Sequence, residues 1–198
     1  MTDQPREAIL EPDLPIVDPH HHLWDRPVLA GVAGEDAPVN HGFEHVLRRR
    51  PRYLLDQLLA DLNTGHNVRA TVYLECGAFY RADGPDEMKP VGETEFVNGV
   101  AAMTASGVYG EVRACAGIVG HTDFRLGDRV IEVLEAHITA GGGRFRGIRQ
   151  SASYDADPTV LGPLGRTPAG LYLDTALGGW RPLACPSTPG CWSHSYRT

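Results

Sequence analysis

The sequence predicts an α/β fold built on a parallel sheet. Short, nearly continuous apolar runs alternate with stretches of helical periodicity, in the order β-α-β-α-β-α-β. The strand runs lack the polar alternation of a half-exposed antiparallel sheet, so the sheet is expected to be covered on both faces. No G-x-G-x-x-G turn follows the first strand, which removes support for a dinucleotide-binding fold. A doubly wound sheet and part of a (β/α)8 barrel both fit this order.

Each element has its own signal. "LPIVDPH" (Leu14 to His20) reads as a short buried strand. "RYLLDQLLADL" puts Leu54, Leu55, Leu58, Leu59 and Leu62 at helical spacing. "VRATVYLECG" (Val68 to Gly77) is a second strand, rich in β-branched and aromatic residues. "ETEFVNGVAAMTASG" aligns Phe96, Val97, Val100, Ala101 and Met103 as a second helix. "VRACAGIVG" (Val112 to Gly120) is a third strand. "GDRVIEVLEAHITAGGG" gives a third helix, with Val130, Val133, Leu134 and Ile138 on one stripe and Gly141 to Gly143 as its stop. "RFRGIRQS" (Arg144 to Ser151) is a fourth strand.

Residues 178–198 break the rhythm. They hold Pro182, Pro186 and Pro189, which forbid a helix, and neither period 2 nor period 3.6 is present. The expected organisation is an extension over 1–13, a β/α domain over 14–177 and an irregular, aberrant tail over 178–198.

Bulk properties exclude some functions. The 198 residues suffice for one domain with a core. A formal net charge of -7 disfavours nucleic acid and anionic membrane as partners. The first residues lack a basic start and a long apolar run, and no stretch is apolar enough to span a bilayer. A cytoplasmic location is expected. The four cysteines, Cys76, Cys115, Cys185 and Cys191, form no C-x-x-C pair, and Cys76 and Cys115 sit in apolar runs as buried thiols. "RRRPR" (Arg48 to Arg52) reads as a solvated approach to a helix.

The chemistry starts at "VDPHHHLWD" (Val17 to Asp25). Side chains alternate faces along a strand, so His20 and His22 share a face and His21 takes the other. Two imidazoles on one face at the C-terminal end of a parallel strand can ligate one divalent cation, where active sites of such folds form. Asp18 is two residues from His20 and is expected to share that face and fix a histidine tautomer. His21 is expected to pack or hydrogen-bond toward the helix layer.

The stretch "IVDPHHHLWD" resembles the first-strand motif of the amidohydrolase superfamily. It is most similar to the amidohydrolase-related group that includes sugar-acid lactonases and pyrone-dicarboxylate lactonases. The D-x-H-x-H pattern followed by an aromatic pair is matched by Asp18, His20, His22, Leu23 and Trp24. "TVYLECGAFYRADGP", "VGETEFVNGVAAM", "CAGIVGHTDFRLG" and "GGGRFRGIRQS" are similar to the group's second to fourth strand regions. The resemblance covers residues 14 to about 175. It implies the N-terminal half of a (β/α)8 TIM barrel, a divalent metal (Zn or Mn) at His20 and His22, and a catalytic aspartate from a later strand. A full barrel takes about 250 residues, so the base and the remaining histidines are expected beyond this chain.

Three further candidates stand at strand ends as substrate-binding residues. Glu75 ends "YLECG", and contacts substrate or caps a loop. His121 follows the third strand, and lines the site or, with "HTD", caps the third helix. Arg149 ends "GIRQS", and holds a substrate carboxylate in a bidentate fork or forms a salt bridge at the barrel mouth. Arg81, in the loop after the second strand, ranks below these. No nucleophile elbow or phosphate loop is present.

The expected activity is hydrolysis of a small carboxylated lactone, or a similar ester or amide, by water attack. The alternatives are a decarboxylase (a lyase) of the same superfamily and a non-catalytic truncated fragment. A half-barrel leaves its first and fourth strands as open edges, so self-association through that edge is expected of the fragment.

Overall fold

A computed structural model describes residues 7–26 and 47–161, together with Thr167, Ala169 and Leu171. Four parallel strands form the main sheet: β1 (Ile16–His21), β4 (Val68–Leu74), β5 (Arg113–Gly120) and β6 (Phe145–Ile148). Their order is β1-β4-β5-β6. Strands consecutive in this list are neighbours throughout, so these four show no reversal of the kind a doubly wound sheet has. A two-stranded antiparallel ribbon, β2 (Trp24–Asp25) with β3 (Arg52–Tyr53), sits beside it.

Three helices make the crossovers: α1 (Leu55–Leu62), α2 (Val91–Ala105) and α3 (Val130–Ala140). A single helical turn, α4 (Pro158–Leu161), follows β6. The first helix starts later than its leucine spacing predicts, because Arg52 and Tyr53 pair with β2 instead. At its start the amide of Leu54 donates to Gln57 Oε1 at 2.8 Å, satisfying a donor the helix leaves free.

The helices cover one face of the sheet. Leu55 and Leu58 from α1 and Val97, Val100 and Ala101 from α2 form one buried cluster with Tyr73, Cys115 and Ile118 from the strands. Burying side chains such as Leu58 and Ile118 contributes about 1.5–3 kcal/mol each. The opposite face is different: Val72, Leu74, Ala116 and Val119 are only half-buried, and Val17 is exposed. This corrects the expectation of a sheet covered on both faces, as regards the described residues. Uniformly apolar strands did not reveal it, because both faces carry valine, leucine and alanine.

The two outer helices also differ from their predicted stripes. Met103 and Ile138 are exposed, while Thr104 and His137 are fully buried. Polar residues occupy those core positions because each finds a partner there. Thr104 donates to the Ala101 carbonyl at 3.2 Å, and His137 bonds at both ring nitrogens.

Bulges set the strand registers. Between Ala70 and Val72 on β4 the partner strand advances from Arg113 to Gly117. Cys115 lies in that excess with φ 54, a left-handed conformation that costs a non-glycine residue about 1–3 kcal/mol. Its amide donates to Thr71 Oγ1 at 3.0 Å, which anchors the bulge. Gly120 closes β5 where a Cβ would sit 2.9 Å from the ring of His137. Gly92 opens α2 where a Cβ would sit 2.7 Å from the Phe79 carbonyl oxygen. Glycine at both positions lets the sheet and the loop after β4 approach the helices.

Among the described residues no helix is long and apolar enough to cross a membrane. Cys76 and Cys115 are free thiols, and burial pushes both up to about 12. Cys185, Cys191 and the tail over 178–198 lie outside the described residues.

Candidate functional site

The C-terminal ends of β1, β4 and β6 bring four of the five predicted residues together. His20 and His22 point the same way from the end of β1. Their Nε2 atoms are 3.1 Å apart, with the rings edge to face. His22 donates from Nδ1–H to the Leu74 carbonyl at 2.8 Å. A carbonyl only accepts, so the neutral ring carries its free lone pair on Nε2. Burial lowers the pKa of His22, and the nearby Arg149 guanidinium and His20 push the same way. The ring is therefore held neutral, in one tautomer, with Nε2 facing His20.

This arrangement fits a metal-ligating pair. Two nitrogens bound to one zinc at about 2.0–2.1 Å lie roughly 3.3 Å apart at the tetrahedral angle, close to the observed separation. The Leu74 carbonyl acts on His22 as outer-shell partners act on ligating histidines. Among the described residues no group of three or more His, Cys, Asp or Glu side chains is placed to hold a metal ion. Of the described residues, this pair would offer two nitrogens to such an ion.

Asp18 does not share the histidine face. The register runs from Asp18 opposite Thr71 to His21 opposite Tyr73, so β1 has one extra residue between them. That bulge breaks the simple alternation and puts Asp18 in register with Thr71, on the helix-covered side. Its Oδ1 accepts the backbone amide of His20 at 3.0 Å instead of a ring proton. The tautomer-fixing group is the Leu74 carbonyl.

His21 faces the helices, as predicted. Its Nε2 meets Thr71 Oγ1 at 2.9 Å, and Tyr73 lies edge-on to its ring. Thr71 Oγ1 also accepts the Cys115 amide, so this one hydroxyl ties β1 to β5. Burial pushes the pKa of His21 down to about 4, so it is neutral at physiological pH.

Glu75 and Arg149 form an ion pair across the sheet end. Arg149 Nε donates to Glu75 Oε1 at 2.9 Å, and Arg149 Nη2 donates to the Glu75 carbonyl. The Glu75 side chain is 15% exposed and that of Arg149 38%. The salt-bridge alternative for Arg149 is thus present. Its side-on fork is committed to Glu75, so a substrate carboxylate has only the outer Nη1 end to approach.

His121 stands one step behind. Its Nδ1–H donates to the Arg149 carbonyl at 3.0 Å. It does not cap a helix. Asp123 does that for the 3₁₀ segment Phe124–Arg129, accepting the Arg125 amide at 2.9 Å. Arg81 is paired with Glu95.

Sequence reasoning missed Glu93. It is fully buried, and its Oε1 accepts from Tyr73 Oη at 2.7 Å, from the Cys76 amide at 2.9 Å and from the Ala78 amide at 3.1 Å. Burial raises its pKa, against the pull of those three donors. Its partners are far apart in sequence. The available signal was an acidic residue in the otherwise apolar first turn of a helix.

A cleft of about 480 Å³ opens between the free side of β1 and α1. Its walls include Ile16, Leu58, Leu62 and Val68, and it reaches His20 but not His22, Glu75 or Arg149. The convergent polar groups are therefore not inside this cleft.

With the geometry in place, comparison with known proteins adds one relative. The chain is similar to the uncharacterized protein y4mH of Sinorhizobium fredii (strain NBRC 101917 / NGR234). The two are 34% identical over 145 residues, which is 73% of this chain and 42% of y4mH. The chain thus spans about two fifths of the length of that relative. No protein-family profile matches the sequence. No solved structure matches it either.

Proposed function

We propose that this chain forms part of a hydrolase similar to the amidohydrolase-related lactonases. It acts on a small carboxylated lactone, or a related ester or amide, by attack of water. The observation that carries this reading is the 3.1 Å convergence of His20 Nε2 and His22 Nε2 at the end of a parallel strand. His20 and His22 would hold a divalent ion, Zn or Mn. Such an ion, when bound, polarises a scissile carbonyl and acidifies a water. Burial keeps His22 neutral and the Leu74 carbonyl holds its proton on Nδ1, so its Nε2 needs no proton removed first. The outer face of Arg149 attracts the substrate carboxylate, and Glu75 holds the guanidinium in place. The general base is assigned to none of the described residues.

The finer architecture belongs to the same proposal. Sequential parallel strands with helices on one face are what half of a (β/α)8 barrel contains. Completion would come from further strand–helix units, in keeping with the greater length of y4mH.

Metal content and lactone hydrolysis, measured on this chain and on a His20→Ala, His22→Ala variant, test the reading. Activity and bound Zn or Mn that both vanish in the variant support it. A monodisperse chain with neither metal nor activity sinks the reading for this chain alone. It would favour a non-catalytic unit that needs its missing strands.

A further inference from the structure

Three of the predicted site residues, Glu75, His121 and Arg149, are joined by a circuit of hydrogen bonds and chain neighbours that starts and ends on the first turn of α2. Glu93 Oε1 accepts the amide of Cys76 at 2.9 Å, beside Glu75. Glu75 Oε1 accepts from Arg149 Nε at 2.9 Å. The Arg149 carbonyl accepts from His121 Nδ1 at 3.0 Å. The His121 carbonyl accepts from His137 Nε2 at 2.9 Å. His137 Nδ1 meets Thr94 Oγ1 at 2.8 Å, and Thr94 follows Glu93 in sequence.

Each proton in the circuit has a defined place. A carbonyl cannot donate, so His137 carries its proton on Nε2 and His121 carries one on Nδ1. Burial lowers the pKa of His137, so its Nδ1 is a lone pair that accepts from the Thr94 hydroxyl. Glu93, Thr94 and His137 are all buried, where an unmatched polar atom is costly. The circuit is tied to α2 at two adjacent residues and spans β4, β5 and β6.

We infer that Glu93 and Thr94 are positioning residues: the first turn of α2 sets where Glu75, Arg149 and His121 stand relative to one another. Neither residue faces substrate; both act through the circuit. The inference rests on the hydrolase reading only in taking those three as the site. Its test reads no turnover, so each can fail without the other.

The test is NMR on the whole chain. In the wild type, ring nitrogen shifts should show His121 as the Nδ1–H tautomer and His137 as the Nε2–H tautomer. Thr94→Val removes the donor to His137, and exchange of the Arg149 Nε proton should rise about tenfold or more. Thr94→Ser should restore it. The Arg52 guanidinium, paired with Asp56 on α1 and remote from the circuit, serves as the control and should not change. An Arg149 signal unaffected by Thr94→Val overturns the inference. So does an equal rise at Arg52, which would mean general loosening. Glu75→Ala reads the circuit from its other end, where the substitution is not in the core. It should shift the tautomer balance of His121, and an unchanged balance would also overturn the inference.

Discussion

His21 and His22 are neighbours on one strand, and they differ in burial, partner and chemical availability. His21 lies under the helices, bonded to the hydroxyl of Thr71 and edge-on to Tyr73. His22 lies on the side that no described helix covers, bonded at Nδ1 to Leu74 and turned at Nε2 toward His20. Both are held neutral by burial. One ring is consumed by the fold, while the other keeps a lone pair for a ligand. The face under the helices buries its ring, while the face that no described helix covers leaves ring nitrogens turned to one another.

The largest effect expected from that contrast is in packing. Ile118→Ala, on the covered face and fully buried, should cost about 2–5 kcal/mol in urea denaturation. Val119→Ala, its half-buried neighbour on the other face, should cost about 1 kcal/mol or less. Equal costs would mean that both faces are covered in solution.

Acid should expose the next difference. The folded pKa of His21 is depressed from 6.5 to about 4. Between those pH values the unfolded chain binds a proton that the folded chain refuses. Stability is therefore constant on this account above pH 6.5 and falls as pH drops toward 4, by roughly 3 kcal/mol. His22 and His137 are shifted in the same direction and add to the slope. His21→Gln should flatten part of that dependence, as read from thermal unfolding at several pH values.

Smaller effects separate the site from the scaffold. Gly120→Ala would press a methyl against the His137 ring and should cost about 1–3 kcal/mol. His20→Ala, on an exposed side chain, should change stability by about 0.5 kcal/mol or less. A large loss there would recast His20 as structural.

Much of this contrast is legible in the sequence, and the remainder is hidden for definite reasons. The strand–helix order and the opposite facing of His21 and His22 follow from periodicity alone. Asp18 does not, because the β1 bulge adds a residue that no local pattern marks. Glu75 and Arg149 are each visible as strand-end residues. Their pairing spans 74 positions and requires the sheet order. Glu93 and His137 sit in helix stretches that read as ordinary amphipathic pattern. Their importance comes from partners on β4 and in the loops, which only the fold brings near. Ile138 and Met103 show the converse: each lies roughly a quarter-turn off the stripe its helix buries, where His137 and Thr104 hold the inward positions.

The most direct test of the paired imidazoles is a zinc titration followed by the ring nitrogen signals of the three consecutive histidines. One equivalent of zinc should move His20 Nε2 and His22 Nε2 together and leave His21 in place, with the response abolished in His22→Ala. A response that persists in His22→Ala, or zinc that moves His21 instead, would contradict the assignment of His20 and His22 as ligands.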